Sequence, residues 1–360
     1  MLSQLAYNNF SGFVSAMPVF AVTLRELMDR EGLPSLYEAT RVPEQNRRLL
    51  YACADSPRYA EISPGFFRAD LDQGEEKQFS AVTFRLSEKL GYVAFRGTDA
   101  SIVGWKEDLS MAYTAPIPSQ LEAVRYLREL SAALPEWRFI LGGHSKGGNL
   151  AEYAAACIDE ETKERILAVY NHDGPGFLPG AMDMTNFDTI RARIHKTVPE
   201  SSVIGPLLEQ HSGFRVVQSS AFLYLQHDPF SWLIENGDFL YSPSVSGFSR
   251  RANSAIVRWL ADTDDETRQV FIEALYDALS PAREEEGGEL RNMGLIKNAP
   301  LIISGIKTEN PEVRRRVAAT MNSLVLAVAD ELRQAFAEKR RKIITQGRRV
   351  LPWGDSSDSR

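Results

Sequence analysis

Cysteine and basic charge are both scarce in this sequence, and each shortage removes a class of function. Only two cysteines occur, Cys53 and Cys157. They stand far apart and lack the clustered spacing of a metal site. No disulfide framework, no bound metal and no oxidising compartment are therefore expected. Lysine and arginine total 41 against 48 aspartates and glutamates, a formal net charge of −7. That balance denies the chain the overall basic footprint of a nucleic-acid binder. Long apolar runs are missing too. The most apolar early stretch, Phe10 to Leu24, is interrupted by Gly12, Pro18 and several hydroxyl residues, with no basic segment before it. It reads as neither leader nor membrane anchor, and a cytoplasmic location is the expectation. No segment repeats.

What is present is the composition of a globular protein, 44% hydrophobic and 25% charged over 360 residues. That length holds one large α/β domain plus an appendage. Phe79 to Leu86 and Gly91 to Arg96 predict a strand pair joined by Ser87-Glu88-Lys89. Ser119 and Glu122 have the spacing of a capping box, opening a helix whose Leu121, Val124, Leu127, Leu130 and Leu134 keep helical period. Earlier helices are expected near Thr23 to Arg30 and from Glu44 to Ala54. Strands are expected at Ile166 to Tyr170, around the alternating Ile190, Ala192 and Ile194, and at Phe214 to Gln218, with Phe222 to Gln226 extending or pairing the last. Strands alternating with helices predict a mostly parallel sheet covered on both faces. From Arg250 onward the pattern is helical only, including a helix opened by Asn310-Pro311 and running toward Ile344. The expected division is an α/β domain with a helical lead-in over 1–245, a helical extension over 246–349 and a disordered tail over 350–360.

The chemistry is announced at Gly143-His144-Ser145-Lys146-Gly147. An apolar strand, Trp137 to Leu141, runs into it and an Ala-rich helix, Asn149 to Cys157, leaves it. This is the G-x-S-x-G nucleophile elbow in its strand–turn–helix setting, and Ser145 is the expected nucleophile. A serine hydroxyl needs a base, an acid to orient that base and donors for the oxyanion. Five histidines compete for the base. His144 lies inside the elbow and reads as structural. His195 falls mid-strand on an exposed face, and His211 precedes a strand, at the wrong edge of a parallel sheet. His172 comes too early for the chain order Ser, acid, His. His227 lies just past the last strand region, where ligand-facing residues gather in open α/β sheets, and is the expected base. For the acid, Glu200 after the Val198-Pro199 pair is preferred, with Asp173 as its rival at the end of the preceding strand. The oxyanion donors are expected from the Lys146 N–H and from Thr98, which ends an earlier strand.

Three segments in order, Phe95-Arg96-Gly97-Thr98, Gly104 to Leu109 and Gly143 to Ala151, resemble the class 3 lipases. In that family the residue at the position of Thr98 completes the oxyanion hole, and the tryptophan-bearing segment forms a mobile lid, which makes Trp105 the lid candidate. Gly143 to Ala151, His172 to Phe177, Pro199 to Gly205 and Gln226 to Asp228 with Trp232 resemble more closely a lipase-like family, the Mbeg-like domain of unknown function. The resemblance runs from about Asn46 to Trp232. It implies an α/β-hydrolase fold and supplies no known substrate; a lipid or other small-molecule ester, without cofactor, is the expectation from the elbow and its partners. Two departures from the class 3 pattern stand out. Lys146 replaces an apolar residue beside the nucleophile, and Lys196 and Thr197 occupy the neighbourhood where those lipases carry their acid.

Lys146 has two readings: a partly solvated ion pair with Asp99, Glu107 or Asp108, or a cation that selects an anionic substrate. Arg314 to Arg316, Lys339 to Lys342 and Arg348-Arg349 make the C-terminal helix locally basic. They leave room for weak contact with an anionic membrane, beside the simpler reading of a solvated helix face. The function expected is carboxylic ester hydrolysis through an acyl-enzyme. The alternative is a catalytically weak binding or scaffold protein of the same fold.

Overall fold

In the computed structural model the described residues are 1–75, 77–98, 104, 107–108, 110–111, 114–209, 212–264, 266–268, 270 and 310–319. Three helices lead in: α1 (Leu2–Leu5), α2 (Leu24–Leu27) and α3 (Pro43–Asp55). Thr23 caps α2 through a reciprocal box with Glu26, which satisfies two of the donors a helix start leaves unpaired. The sheet opens with β1 (Ser63–Asp72), β2 (Lys77–Ser87) and β3 (Leu90–Phe95). Helix and strand then alternate through α4 (Pro118–Ala133), β4 (Arg138–His144), α5 (Lys146–Cys157), α6 (Glu160–Glu164) and β5 (Ile166–His172). They continue through α7 (Met184–Ile190), β6 (Ile194–Pro199) and β7 (Arg215–Val217). A small hairpin of β8 (Ile234–Glu235) and β9 (Asp238–Phe239), the edge strand β10 (Tyr241–Ser242) and α8 (Gly247–Asp262) follow.

Eight strands form one sheet in the order β1-β2-β3-β4-β5-β6-β7-β10. Pairing is parallel from β3 to β7 and antiparallel at the two ends. Both faces are apolar, as the period of two along a buried strand requires. Ala81, Val93 and Phe95 pack with Leu127, Leu150 and Ala154 of α4 and α5 on one face. Val82, Phe84 and Ala94 pack with Leu5, Phe10, Leu24 and Leu50 of the lead-in on the other. Each such leucine or phenylalanine contributes about 1.5–3 kcal/mol by leaving water. A mostly parallel sheet with helices on both faces and the elbow at the end of a central strand is the α/β-hydrolase fold.

Some local expectations give way to tertiary context. The strand β1 was not anticipated; it pairs with β2 across a register shift between Gly65 and Arg68, where Phe66 has φ of 49°. Ile190 to Ile194 is no strand: α7 ends at Ile190, a 3-10 turn covers Arg191–Arg193, and β6 begins at Ile194. Phe222 to Gln226 is likewise replaced by a 3-10 helix, Leu223–His227. Ser119 does not cap α4. Pro118 starts that helix, Gln120 accepts the Ile117 N–H, and Ser119 gives its own N–H and O–H to Glu107.

Met1–Tyr276 is one compact unit, which contains α8, and Asp277–Arg360 is a second. In the second, residues 311–319 are helical and Asn310 caps them through the Glu312 N–H, with Pro311 first in the helix. The expected continuation to Ile344, the basic clusters beyond Arg316, and the helical pattern expected over 271–309 lie outside the described residues. Among the described residues, no helix is long and apolar enough to cross a membrane.

Candidate active site

The turn at Ser145 follows from its glycines. A Cβ on Gly143 would lie 2.2 Å from the Gly147 carbonyl carbon, and one on Gly147 would lie 2.2 Å from the Phe95 carbonyl oxygen. Only glycine lets β4, α5 and β3 approach this closely. Ser145 has φ of 59° and ψ of −132°, a conformation that costs on the order of 1–3 kcal/mol and that the surrounding packing must hold. Its N–H donates to the His172 carbonyl at 2.9 Å, pinning the turn to β5.

Ser145 Oγ lies 2.9 Å from His227 Nε2, and His227 Nδ1 lies 2.7 Å from Asp173 Oδ2. A carboxylate facing Nδ1 fixes that nitrogen as the donor, which leaves Nε2 to accept the serine proton. Residues 82 and 54 positions from His227 in sequence are thus joined in one hydrogen-bonded line. Asp173 is fully buried, with φ of 55°, immediately after β5. Its other oxygen accepts the Ser202 hydroxyl and the Gly205 N–H, and its own N–H donates to Thr197 on β6.

Glu200, the preferred acid of the sequence reading, is not brought to His227. Its carboxylate accepts the Ser242 hydroxyl at 2.7 Å, and its backbone carbonyl accepts the Ser246 N–H. The geometric reason is strand order. Glu200 follows β6, one strand farther from β4 than β5 is, and its N–H is tied outward to Val217 of β7. The loop it opens contributes Ser202 and Gly205 as donors to Asp173, the carboxylate that does face His227.

His144 holds the other side of His227. Its Nε2 is 2.8 Å from the His227 carbonyl, and its Nδ1 is 3.0 Å from the Tyr7 hydroxyl. A carbonyl can only accept, so Nε2 carries the proton and Nδ1 accepts from Tyr7. Burial, with His227 beside it, holds the His144 imidazole well below the usual histidine range, in keeping with a neutral ring. Gln226 reinforces the placement: its side chain accepts the Ser201 N–H at 2.7 Å, and its carbonyl accepts the Trp232 indole N–H at 2.7 Å. His172 bonds Thr197 through Nδ1, and burial pushes it down to about 3. His195 is exposed on β6. His211 and the lid candidate Trp105 lie outside the described residues, as does Asp99.

At the oxyanion side, the Thr98 hydroxyl donates to Asp108 Oδ2. Burial pushes the Asp108 carboxyl up to about 6 against the opposing pull of Lys146 and Thr98. Lys146 is the first residue of α5, so its N–H has no acceptor within its own helix. Its side chain makes the ion pair of the first sequence reading, with Glu107, but buried rather than partly solvated. It is 1% exposed, and its ammonium contacts the Gln78 carbonyl, Gln78 Oε1 and Glu107 Oε2 at 2.8, 3.0 and 2.7 Å. Three donors meet three interior acceptors, so the cation is not presented to a substrate. Glu107 is one of the three carboxylates weighed for Lys146, and Ser202 lies in the Pro199 to Gly205 segment, whereas no local pattern pointed to Gln78 or Tyr7, which reach the site through tertiary contacts. Among the described residues no cluster of His, Cys, Asp or Glu could hold a metal ion.

The family model described as Mbeg1-like matches residues 53–277. Solved structures similar to this chain include lipase II from Rhizopus niveus, at 18% identity over 42% of this chain and 64% of that one, with a TM-score of 0.30. A mutant form of MDLA from Penicillium cyclopium is similar at 13% identity over 66% and 83%, with a TM-score of 0.40. A lipase from Rhizopus microsporus var. chinensis is similar at 17% identity over 66% and 87%, with a TM-score of 0.34. The chain thus spans slightly less than two thirds of the Rhizopus niveus protein. No curated protein matches it.

Proposed function

The chain belongs to the Mbeg1-like family, and we propose that it is a serine hydrolase of carboxylic esters, acting on a lipid or other acyl ester. One observation carries this reading: the unbroken line from Ser145 Oγ through both nitrogens of His227 to Asp173, set on a strained elbow. In the first step Ser145 Oγ attacks the ester carbonyl while His227 Nε2 takes its proton. Asp173 keeps the Nδ1 proton in place and stabilises the imidazolium that forms. The carbonyl oxygen gains negative charge, which in this proposal the backbone N–H groups of Lys146, at the start of α5, and of Thr98 receive, the Thr98 hydroxyl being committed to Asp108. His227 then protonates the departing alcohol, leaving an acyl group on Ser145. Water, deprotonated by the same imidazole, releases the acid and restores the serine.

Asp173, rather than Glu200, is the acid of this proposal, and the chain order is then Ser145, Asp173, His227. A fluorophosphonate probe tests it directly. The wild-type protein is expected to take up one label, and Ser145→Ala to take up none. A wild type that stays unlabelled, with and without detergent, would sink the hydrolase reading and favour the scaffold alternative.

A further inference from the structure

We infer that the buried Lys146–Glu107 ion pair is a positioning device that sets the two oxyanion donors at a fixed separation; the inference rests on the hydrolase reading above. Three observations converge. First, Lys146 supplies one donor with its backbone N–H and anchors that backbone through its own side chain to Glu107. Second, the residue after Glu107 is Asp108, whose carboxylate receives the hydroxyl of Thr98, the other donor residue. Third, a Cβ on Gly97 would lie 3.2 Å from Ser145 Cβ, so the backbone before Thr98 rests directly on the elbow. These contacts close a ring: Lys146 backbone, Lys146 ammonium, Glu107, Asp108, Thr98 and back to the elbow.

Glu107 has the connections such a role requires. Both side chains of the pair are 1% exposed. Besides Lys146, the carboxylate accepts the Gln78 N–H at 3.0 Å, the Ser119 N–H at 2.9 Å and the Ser119 hydroxyl at 2.8 Å. It therefore ties β2, the start of α4 and the start of α5 to the residue that holds Thr98. Removing two charges from water is unfavourable unless geometry and additional hydrogen bonds offset it, and a well-packed apolar pair is often as stable. A site that needs two donors aimed at one atom gives such a pair a use that stability alone does not. Oxyanion stabilisation depends on donors fixed before the charge develops.

The test separates positioning from bulk stability. Glu107→Gln keeps the side-chain shape and removes the charge, and Lys146→Met/Glu107→Gln removes both charges together. With the fluorophosphonate, serine oxygen displaces fluoride from phosphorus, the serine proton passes to His227, and the phosphoryl oxygen occupies the oxyanion position. Each folded variant is expected to lose about tenfold to a hundredfold in the inactivation rate constant per labelled site, the scale of a misplaced reacting geometry. The half-saturating probe concentration is expected to stay within about twofold. A purely structural pair would lower the melting temperature and leave the rate constant per site unchanged, and that result overturns the proposal. Should the double variant fail to fold, Glu107→Gln alone decides. An unlabelled wild type overturns the hydrolase reading and this inference together, whereas a labelled wild type with equally fast variants overturns only this one.

Discussion

The two sides of Ser145 are built differently. On the acid–base side, Asp173 and His227 are held by neutral groups: the Ser202 hydroxyl, the Gly205 N–H, the neutral His144 ring and the Gln226 side chain. On the oxyanion side, placement runs through charge, with Lys146, Glu107 and Asp108 in one partly buried cluster. Neutral donors leave the acid–base side free to change its own charge during a reaction. In the proposed mechanism the oxyanion side has the opposite task, to keep donors still while charge appears beside them, and a buried ion pair resists displacement. Buried carboxyls on the two sides differ accordingly. Glu107 has an ammonium at 2.7 Å, whereas Glu152 on α5 has the Asn171 amide at 2.9 Å, and burial pushes it up to about 7.

The sharpest way to break this contrast is at Asp173. Asp173→Asn preserves shape but lets the His227 ring lose its required tautomer, and a loss of about 10⁴-fold in turnover of a soluble ester is expected. Glu200→Gln should stay within about threefold of the wild type. Equal losses in the two variants would restore Glu200 to the acid's role.

Next in size is a stability effect at Glu152. Its folded carboxyl is raised, so the folded state favours the neutral form. The stability this confers is fully present below about pH 4.5 and is lost as pH rises through about 7. Glu152→Gln keeps the acceptor for Asn171 and removes the penalty. Urea denaturation should find the variant more stable by up to about 3 kcal/mol at pH 8, with the difference shrinking toward zero at pH 4. A difference independent of pH would mean that ionisation is not the cause. The smallest effect concerns one neutral donor: Ser202→Ala should reduce turnover about tenfold, since Asp173 keeps the Gly205 N–H and His227. No change at all would make the hydroxyl incidental.

Ser145 and His227 were legible because local rules place them. A glycine-flanked serine between an apolar strand and an Ala-rich helix has few other structures available. A histidine after the last strand of a parallel sheet falls at the ligand-facing edge. Asp173 and Glu200 both end strands, and nothing local separates them. Their separation came from strand order, and from a loop that folds Ser202 and Gly205 back onto Asp173. The 3-10 helix that carries His227 was missed for a similar reason. Leu223–His227 has the composition of a strand, and its backbone is held instead by contacts of Gln226 with Ser201 and Ala221.

Within the chain, then, the sequence by itself determined the fold class, the elbow and which serine and histidine meet there. These depend on steric limits and periodicities that act over a few residues. Tertiary structure alone decided which carboxylate faces His227, and that of the carboxylates open to Lys146 it is Glu107 that pairs with it, in the interior. Those outcomes depend on which distant groups share a buried volume. A charge read from sequence has no address until burial strips away water and leaves one partner close enough to replace it.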